Sequence, residues 1–155
     1  EDMKSGYTTQ RRTSMIAEPR LVDINTADST TLVSVRGIGG RTASEIISYR
    51  QKLGGFHSVE QLAEISVITE QNYERMVEQI LADSCEIQKI DINFASPNAV
   101  AGHPYMTGKL TRRVLKNRQL KGGWSRLEDM IEDHTLTSEE ASRLGPYLHF
   151  TAIKE

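Results

Sequence analysis

Displaced by 68 residues, the chain lies on itself without a gap. Asp23, Ile24, Asn25 and Ala27 fall on Asp91, Ile92, Asn93 and Ala95, and Arg50-Gln51 falls on Arg118-Gln119. Gly54-Gly55 meets Gly122-Gly123, Phe56 meets Trp124, Glu60 meets Glu128 and Thr69 meets Thr137. One register held over that distance marks a duplicated unit of about sixty residues, which constrains the fold more than any local pattern does. At 155 residues there is room for two small units that each bury a core.

Within a unit the apolar spacing is helical. Leu32 and Val35 stand three apart, and Ala43, Ile46 and Ile47 mark one face of a later helix. Val35-Arg36-Gly37-Ile38-Gly39-Gly40-Arg41-Thr42-Ala43 lies between these stretches and predicts a tight turn joining two helices. The first helix is capped by Thr26 or Asp28 and runs to about Val35. The second runs from about Gly40 to Leu53, where Gly54-Gly55 supplies a left-handed cap. Phe56 folds back on the helix end, and Ser58-Val59-Glu60-Gln61 has capping-box spacing for a third helix through about Glu64, with Leu62 facing inward. Thr69 caps a fourth, with Tyr73, Met76, Val77 and Ile80 as its buried stripe. The second copy carries its own caps in Ser96-Pro97, Ser125-Arg126-Leu127-Glu128 and Thr137-Ser138-Glu139-Glu140. An all-α protein is expected, with a polar tail or linker over 1–20, a first unit over 21–83, a linker over 84–89 and a second unit over 90–155. Arg11 and Arg12 in the tail add at most a weak contact to a polyanion.

The glycine corner also carries chemistry. Gly37 can take a positive φ, and Gly39 and Gly40 have no side chain to keep another molecule from the backbone. The helix that follows begins with unpaired amides, which form an anion site suited to a phosphate. A corner that only lets two helices pack closely is the alternative. Opposite it in the second copy stands Tyr105-Met106-Thr107-Gly108, preceded by His103-Pro104, where two of the three glycines are gone. Thr107 can cap the next helix, and Lys109, Arg112, Arg113 and Lys116 form a cationic stripe along it. Like charges so stacked repel one another, and a polyanion would relieve that repulsion.

Composition narrows the classes further. The formal net charge of -2 argues mildly against a nucleic-acid partner, but the charge is segregated. Lys109 to Arg126 holds seven basic residues and no acid, while acids gather at Glu60, Glu64, Glu70, Glu74 and Glu78 and from Glu128 to Asp133. Cys85, the one cysteine, excludes an internal disulfide and a multi-cysteine metal site. No apolar run approaches the roughly 18 residues of a membrane-spanning helix. Glu1 as first residue is consistent with a trimmed or processed chain whose upstream signal or anchor has been removed.

Leu32-x-x-Val35-x-Gly37-Ile38-Gly39-x-x-x-Ala43-x-x-x-Ile47 resembles the helix-hairpin-helix motif. The surrounding Asn25-Thr26-Ala27, Tyr49-Arg50, Gly55-Phe56 and Leu62 are similar to the ComEA family of DNA-uptake proteins. The likeness covers about 21–80 well. In the second copy it survives in Asn93-Phe94-Ala95, Arg118, Gly123-Trp124 and Leu144-Gly145-Pro146-Tyr147-Leu148. The resemblance implies two tandem helix-hairpin-helix units, each a small SAM-like bundle of about four helices. It implies binding of double-stranded DNA without sequence preference, with phosphate held by the amides of Gly37, Gly39 and Gly40 around Ile38, and with Arg41 and Thr42 adding contacts. Thr107, Gly108, Lys109, Arg112, Arg113 and Lys116 are the candidates in the second unit. A monovalent cation, Na+ or K+, on the Val35 to Gly39 carbonyls is implied as the only cofactor. Envelope or uptake proteins are implied as further partners, with a periplasmic or membrane-anchored location. Ile65 to Thr69 and Asp133 to Thr137 sit where second hairpins would occur but lack glycine, so they read as scaffold.

Two other classes compete. Catalysis needs positioned acids, bases or a metal, yet His57, His103, His134 and His149 lie far apart without ligand spacing, and no enzyme is expected. A non-catalytic protein-interaction or scaffold module is the stronger rival, with Tyr105 and Trp124 as exposed candidates, although the match to Phe56 argues that Trp124 is core.

Overall fold

The computed structural model describes residues 20–153, so Arg11, Arg12 and the tail as far as residue 19 lie outside the described residues. The first unit opens with β1 (Val22–Asp23) and continues through α1 (Ser29–Val33), α2 (Gly40–Leu53), a 3-10 turn at Val59–Glu64, α3 (Glu70–Met76) and β2 (Ile80–Leu81). The second runs β3 (Ile90–Asp91), α4 (Pro97–Ala101), α5 (Gly108–Lys121), α6 (Leu127–Glu132), α7 (Ser138–Leu144) and β4 (Leu148–His149). Each of these elements recurs at the same 68-residue displacement, end for end. The expected third helix of the first unit is 3-10 over Val59–Glu64, whereas its counterpart Leu127–Glu132 is α-helical. The capping box expected at Ser58 is formed, with Gln61 closing it.

The two-residue strands are the one departure from a purely helical reading. β1 pairs in parallel with β2, Val22 opposite Ile80, and β3 pairs with β4, Ile90 opposite Leu148. Each unit therefore begins and ends at one point.

Residues identical in the two copies do the bracing there. Asn25 donates through Nδ2 to the carbonyls of Phe56 (2.9 Å) and Asp83 (2.8 Å) and accepts from the Phe56 amide (2.6 Å). Asn93 does the same with Trp124 and Thr151. Arg50 donates to the carbonyls of Ile24 and Ala27, both at 2.9 Å, and Arg118 donates to Ile92 and Ala95. These side chains satisfy backbone groups in turns that lack regular structure of their own. At the ends of α2 and α5, Gly54 (φ 95°) and Gly122 (φ 86°) take the left-handed conformation that lets each helix stop where expected.

Two cores result. Leu32, Ile46, Leu53, Phe56, Leu62 and Met76 are fully buried in the first. Ile92, Val100, Val114 and Met130 are fully buried in the second, where Trp124 is also core, as its match to Phe56 suggested. Tyr147, from the second unit, is completely buried in the first core. Its hydroxyl donates to the Gly55 carbonyl (2.7 Å) and accepts from Gln61 Nε2 (2.9 Å) and the His57 amide (3.2 Å). The two units are thus joined by a buried polar contact.

Candidate nucleic-acid interface

At the first corner α1 stops at Val33, two residues earlier than expected. The chain then turns through Val35 amide to Leu32 carbonyl and Ile38 amide to Val35 carbonyl bonds. Gly37 has φ 97°, and a Cβ placed on it would stand 3.0 Å from the Asn72 carbonyl oxygen, so glycine is required there twice over. Gly39 and Gly40 differ. Gly39 is extended (φ -92°), and a Cβ on either residue would meet nothing within 4 Å. Neither backbone conformation at Gly39 nor internal packing at the pair demands glycine.

Gly39 is the N-cap of α2 and has no side chain to offer. The first intrahelical amide to find an acceptor is that of Ala43, on the Gly39 carbonyl (2.9 Å). The amides of Gly39, Gly40, Arg41 and Thr42 have no backbone acceptor among the described residues. They open on a face where Gly39, Gly40 and Arg41 are exposed and Thr42 is half-buried. Ile38 departs from the expected ligand-binding place: its side chain is 4% exposed and its amide is spent on Val35, so it anchors the loop instead of facing a ligand. Of the hairpin carbonyls, those of Val35, Arg36 and Gly39 already accept hydrogen bonds, while those of Gly37 and Ile38 accept none among the described residues.

Two features of this corner have no local signal in the sequence. Arg75 on α3 packs its Cβ beside Gly37, at 3.4 Å from a Cβ placed there, and is exposed, as are Arg36 and Arg41. Gln79, after α3, bonds both the amide and the carbonyl of Arg36, at 3.0 and 3.2 Å. Both sit about forty residues along the chain, where only the tertiary fold brings them to the hairpin.

The second corner is built otherwise. Thr107 accepts from the Leu110 amide (3.2 Å) and so fills the site that Gly39 leaves open. Tyr105 is not exposed as expected; it is half-buried between the units. Its hydroxyl donates to Glu64 (2.7 Å) and accepts from Gln61 Nε2 (2.7 Å). Burial first, together with the Glu64 carboxylate, pushes that phenol up to about 12 against a smaller opposing effect of Gln61. His103 is also buried, not a surface histidine. It packs edge-on against Tyr105 and tilted against Tyr147, accepts the Tyr105 amide on Nδ1 (3.0 Å), and burial lowers its pKa to about 4. Met106 is core.

Of the basic stripe, Lys109, Arg112 and Lys116 are exposed alongside Gly108. Arg113 is a correction. Its guanidinium donates to Glu140 (2.7 Å) and to the Thr135 carbonyl (2.8 Å), which ties α5 to α7 and removes it from the stripe. The remaining hairpin positions are filled by protein: Ile65 and Ile68 are buried, and Asp133 accepts from Trp124 Nε1 and the Thr135 amide. No cluster of metal-ligating side chains occurs among the described residues. No helix among them is long and apolar enough to cross a membrane.

Known proteins share parts of this architecture. Residues 18–81 match the family model of the helix-hairpin-helix motif. Endonuclease/exonuclease/phosphatase family domain-containing protein 1 of Danio rerio is 23% identical over 149 residues, 84% of this chain and 27% of that protein. The Xenopus laevis protein of the same name is 27% identical over 124 residues, 77% of this chain and 21% of its own length. ComE operon protein 1 of Bacillus subtilis (strain 168) is 37% identical over 60 residues, 39% of this chain and 29% of that protein. The chain therefore spans less than a third of the length of each of these relatives. No solved structure matches. The matched segment includes α1, the glycine turn and α2, in the order that a helix-hairpin-helix motif describes.

Proposed function

We propose that the chain binds double-stranded DNA without sequence preference, holding a backbone phosphate on the amides of Gly39, Gly40, Arg41 and Thr42. The observation that carries this reading is the open space over Gly39 and Gly40. Glycines that neither relieve φ strain nor admit a neighbour of their own chain are explained by a ligand that must approach the backbone closely. Four unpaired amides at the start of a 14-residue helix attract an anion by direct hydrogen bonding and by the helix dipole. Arg36, Arg41 and Arg75 are exposed and add positive charge, and contacts of amides and cations to phosphate position a duplex without selecting its sequence.

The exposed Lys109, Arg112 and Lys116 extend the reading to the second unit as a diffuse contact that complements the corner. A monovalent cation on the unbonded Gly37 and Ile38 carbonyls would neutralise part of the charge brought by a phosphate, since neutral carbonyl oxygens suit such an ion. DNA uptake, with envelope partners and an envelope location, is the process suggested by the likeness to ComEA and to ComE operon protein 1. The relatives named for an endonuclease/exonuclease/phosphatase family domain favour a second setting, in which a non-catalytic segment of this kind handles DNA for a longer protein.

Binding of a labelled duplex of arbitrary sequence, measured by fluorescence anisotropy at two salt concentrations, tests the reading. Affinity that falls as salt rises and is equal for unrelated sequences is expected. No binding at low salt would reject it and leave a protein-interaction scaffold that keeps the fold.

A further inference from the structure

One side chain holds the peptide that leads into the glycine corner. Gln79 accepts from the Arg36 amide through Oε1 (3.0 Å), and its Nε2 donates to the Arg36 carbonyl (3.2 Å) and the Arg75 carbonyl (2.7 Å). A carboxamide presents an acceptor and two donors in one plane, and all three directions are used here. Arg36 is thereby pinned to the end of α3, and Gly37 lies directly against Asn72 and Arg75.

The second copy is an internal control. At the three equivalent positions it carries Pro104, Tyr105 and Tyr147 in place of Arg36, Gly37 and Gln79. Proline has no amide hydrogen to give, and the Tyr147 hydroxyl is engaged instead with Gly55, Gln61 and His57 of the first unit. Tyr105 does not take the positive φ of Gly37. Yet Asn93, Arg118 and Gly122 keep the frame of the unit intact. The clamp is dispensable for the fold, and it disappears together with the open helix end.

We infer that Gln79 is a positioning residue for the anion site: its carboxamide fixes the Arg36–Gly37 peptide and so aims the amides from Gly39 to Thr42. This inference rests on reading the corner as a phosphate site.

A double-mutant cycle separates positioning from general support. Duplex affinity is measured for the wild type, Gln79→Leu, Gly39→Val and the double variant, with a melting temperature for each. We expect Gln79→Leu to weaken binding about tenfold alone and less than about twofold in the Gly39→Val background, because both act on the same amides. The melting temperature should fall equally in both backgrounds. Undiminished affinity of Gln79→Leu beside a weakened Gly39→Val would overturn the inference and leave the phosphate reading standing. The same holds if the two effects simply add. A wild type that ignores duplex, or a Gly39→Val variant that binds normally, would overturn the reading and the inference with it. If Gln79→Leu fails to fold, Gln79→Glu keeps the acceptor for Arg36 and removes both donors, and the same cycle applies.

Discussion

The two corners descend from one pattern and answer the same problem in opposite ways. At the first, Gly39 leaves the end of α2 without a cap, and the loop before it is stitched to α3. At the second, Thr107 caps α5 from within, and the loop before it, through Tyr105, leans on the neighbouring unit. A glycine N-cap in place of a side chain that accepts from the first turn costs about a few tenths of a kcal/mol of stability. The first corner bears that cost on an exposed surface; the second has recovered it and turned its loop into a joint. A site and a joint can thus occupy the same place in a fold, and which one results depends on whether the polar groups are left for another molecule.

The frame common to both units should respond first and most strongly. Asn25→Ala and Asn93→Ala each remove three hydrogen bonds to backbone and should each cost on the order of 3 kcal/mol, read by denaturant unfolding. A large inequality between them would break the equivalence of the two frames. Next, Gly39→Val should lower duplex affinity by about thirtyfold, or ~2 kcal/mol, with helical content retained, whereas Thr107→Val should leave duplex affinity nearly unchanged and cost stability instead. Equal effects on binding would erase the proposed difference between the corners.

The joint should show itself in pH. His103 is held by burial at about 4, below the ordinary histidine value of 6.5, so between those values the unfolded chain takes up a proton that the folded chain refuses. Stability then rises with pH through that window, and on the order of 2 kcal/mol disappears as pH falls from about 6.5 to 4. His103→Val, which puts back the residue type that the first corner carries at Val35, should flatten the dependence of the melting temperature on pH. The smallest effect concerns the stripe. Changing Lys109, Arg112 and Lys116 to Gln should reduce the salt dependence of binding by up to about 0.9 in log-log slope for each phosphate that is no longer neutralised. Arg113→Gln should lower stability and leave that slope alone, because its charge is already spent on Glu140.

Local signals explain what was legible in the sequence. Helix limits at Gly40, Leu53, Gly108 and Lys121 followed from caps and glycines that act within a few residues. The duplication followed from identities at Asn25, Arg50 and Gly54 that prove to be the bracing residues. What stayed hidden depends on pairs far apart in the chain. Nothing local to Arg113 points to Glu140, and nothing local to Tyr105 points to Glu64. Ile38 sits in the middle of the motif, and only its burial separates a loop anchor from a ligand-facing residue. The signal that could have located the clamp was the register itself: Arg36, Gly37 and Gln79 face Pro104, Tyr105 and Tyr147 in one alignment.

The short parallel bridges carry a mechanical consequence. Because Val22–Asp23 runs alongside Ile80–Leu81 in the same direction, pulling on the chain at both ends of the first unit drags the strands past each other lengthwise. The bridge bonds and the Asn25 bond to Asp83 then bear the load together instead of parting one after another. The second unit repeats this arrangement at Ile90–Asp91 and Leu148–His149. A chain built from such units resists tension along its length at every closure point.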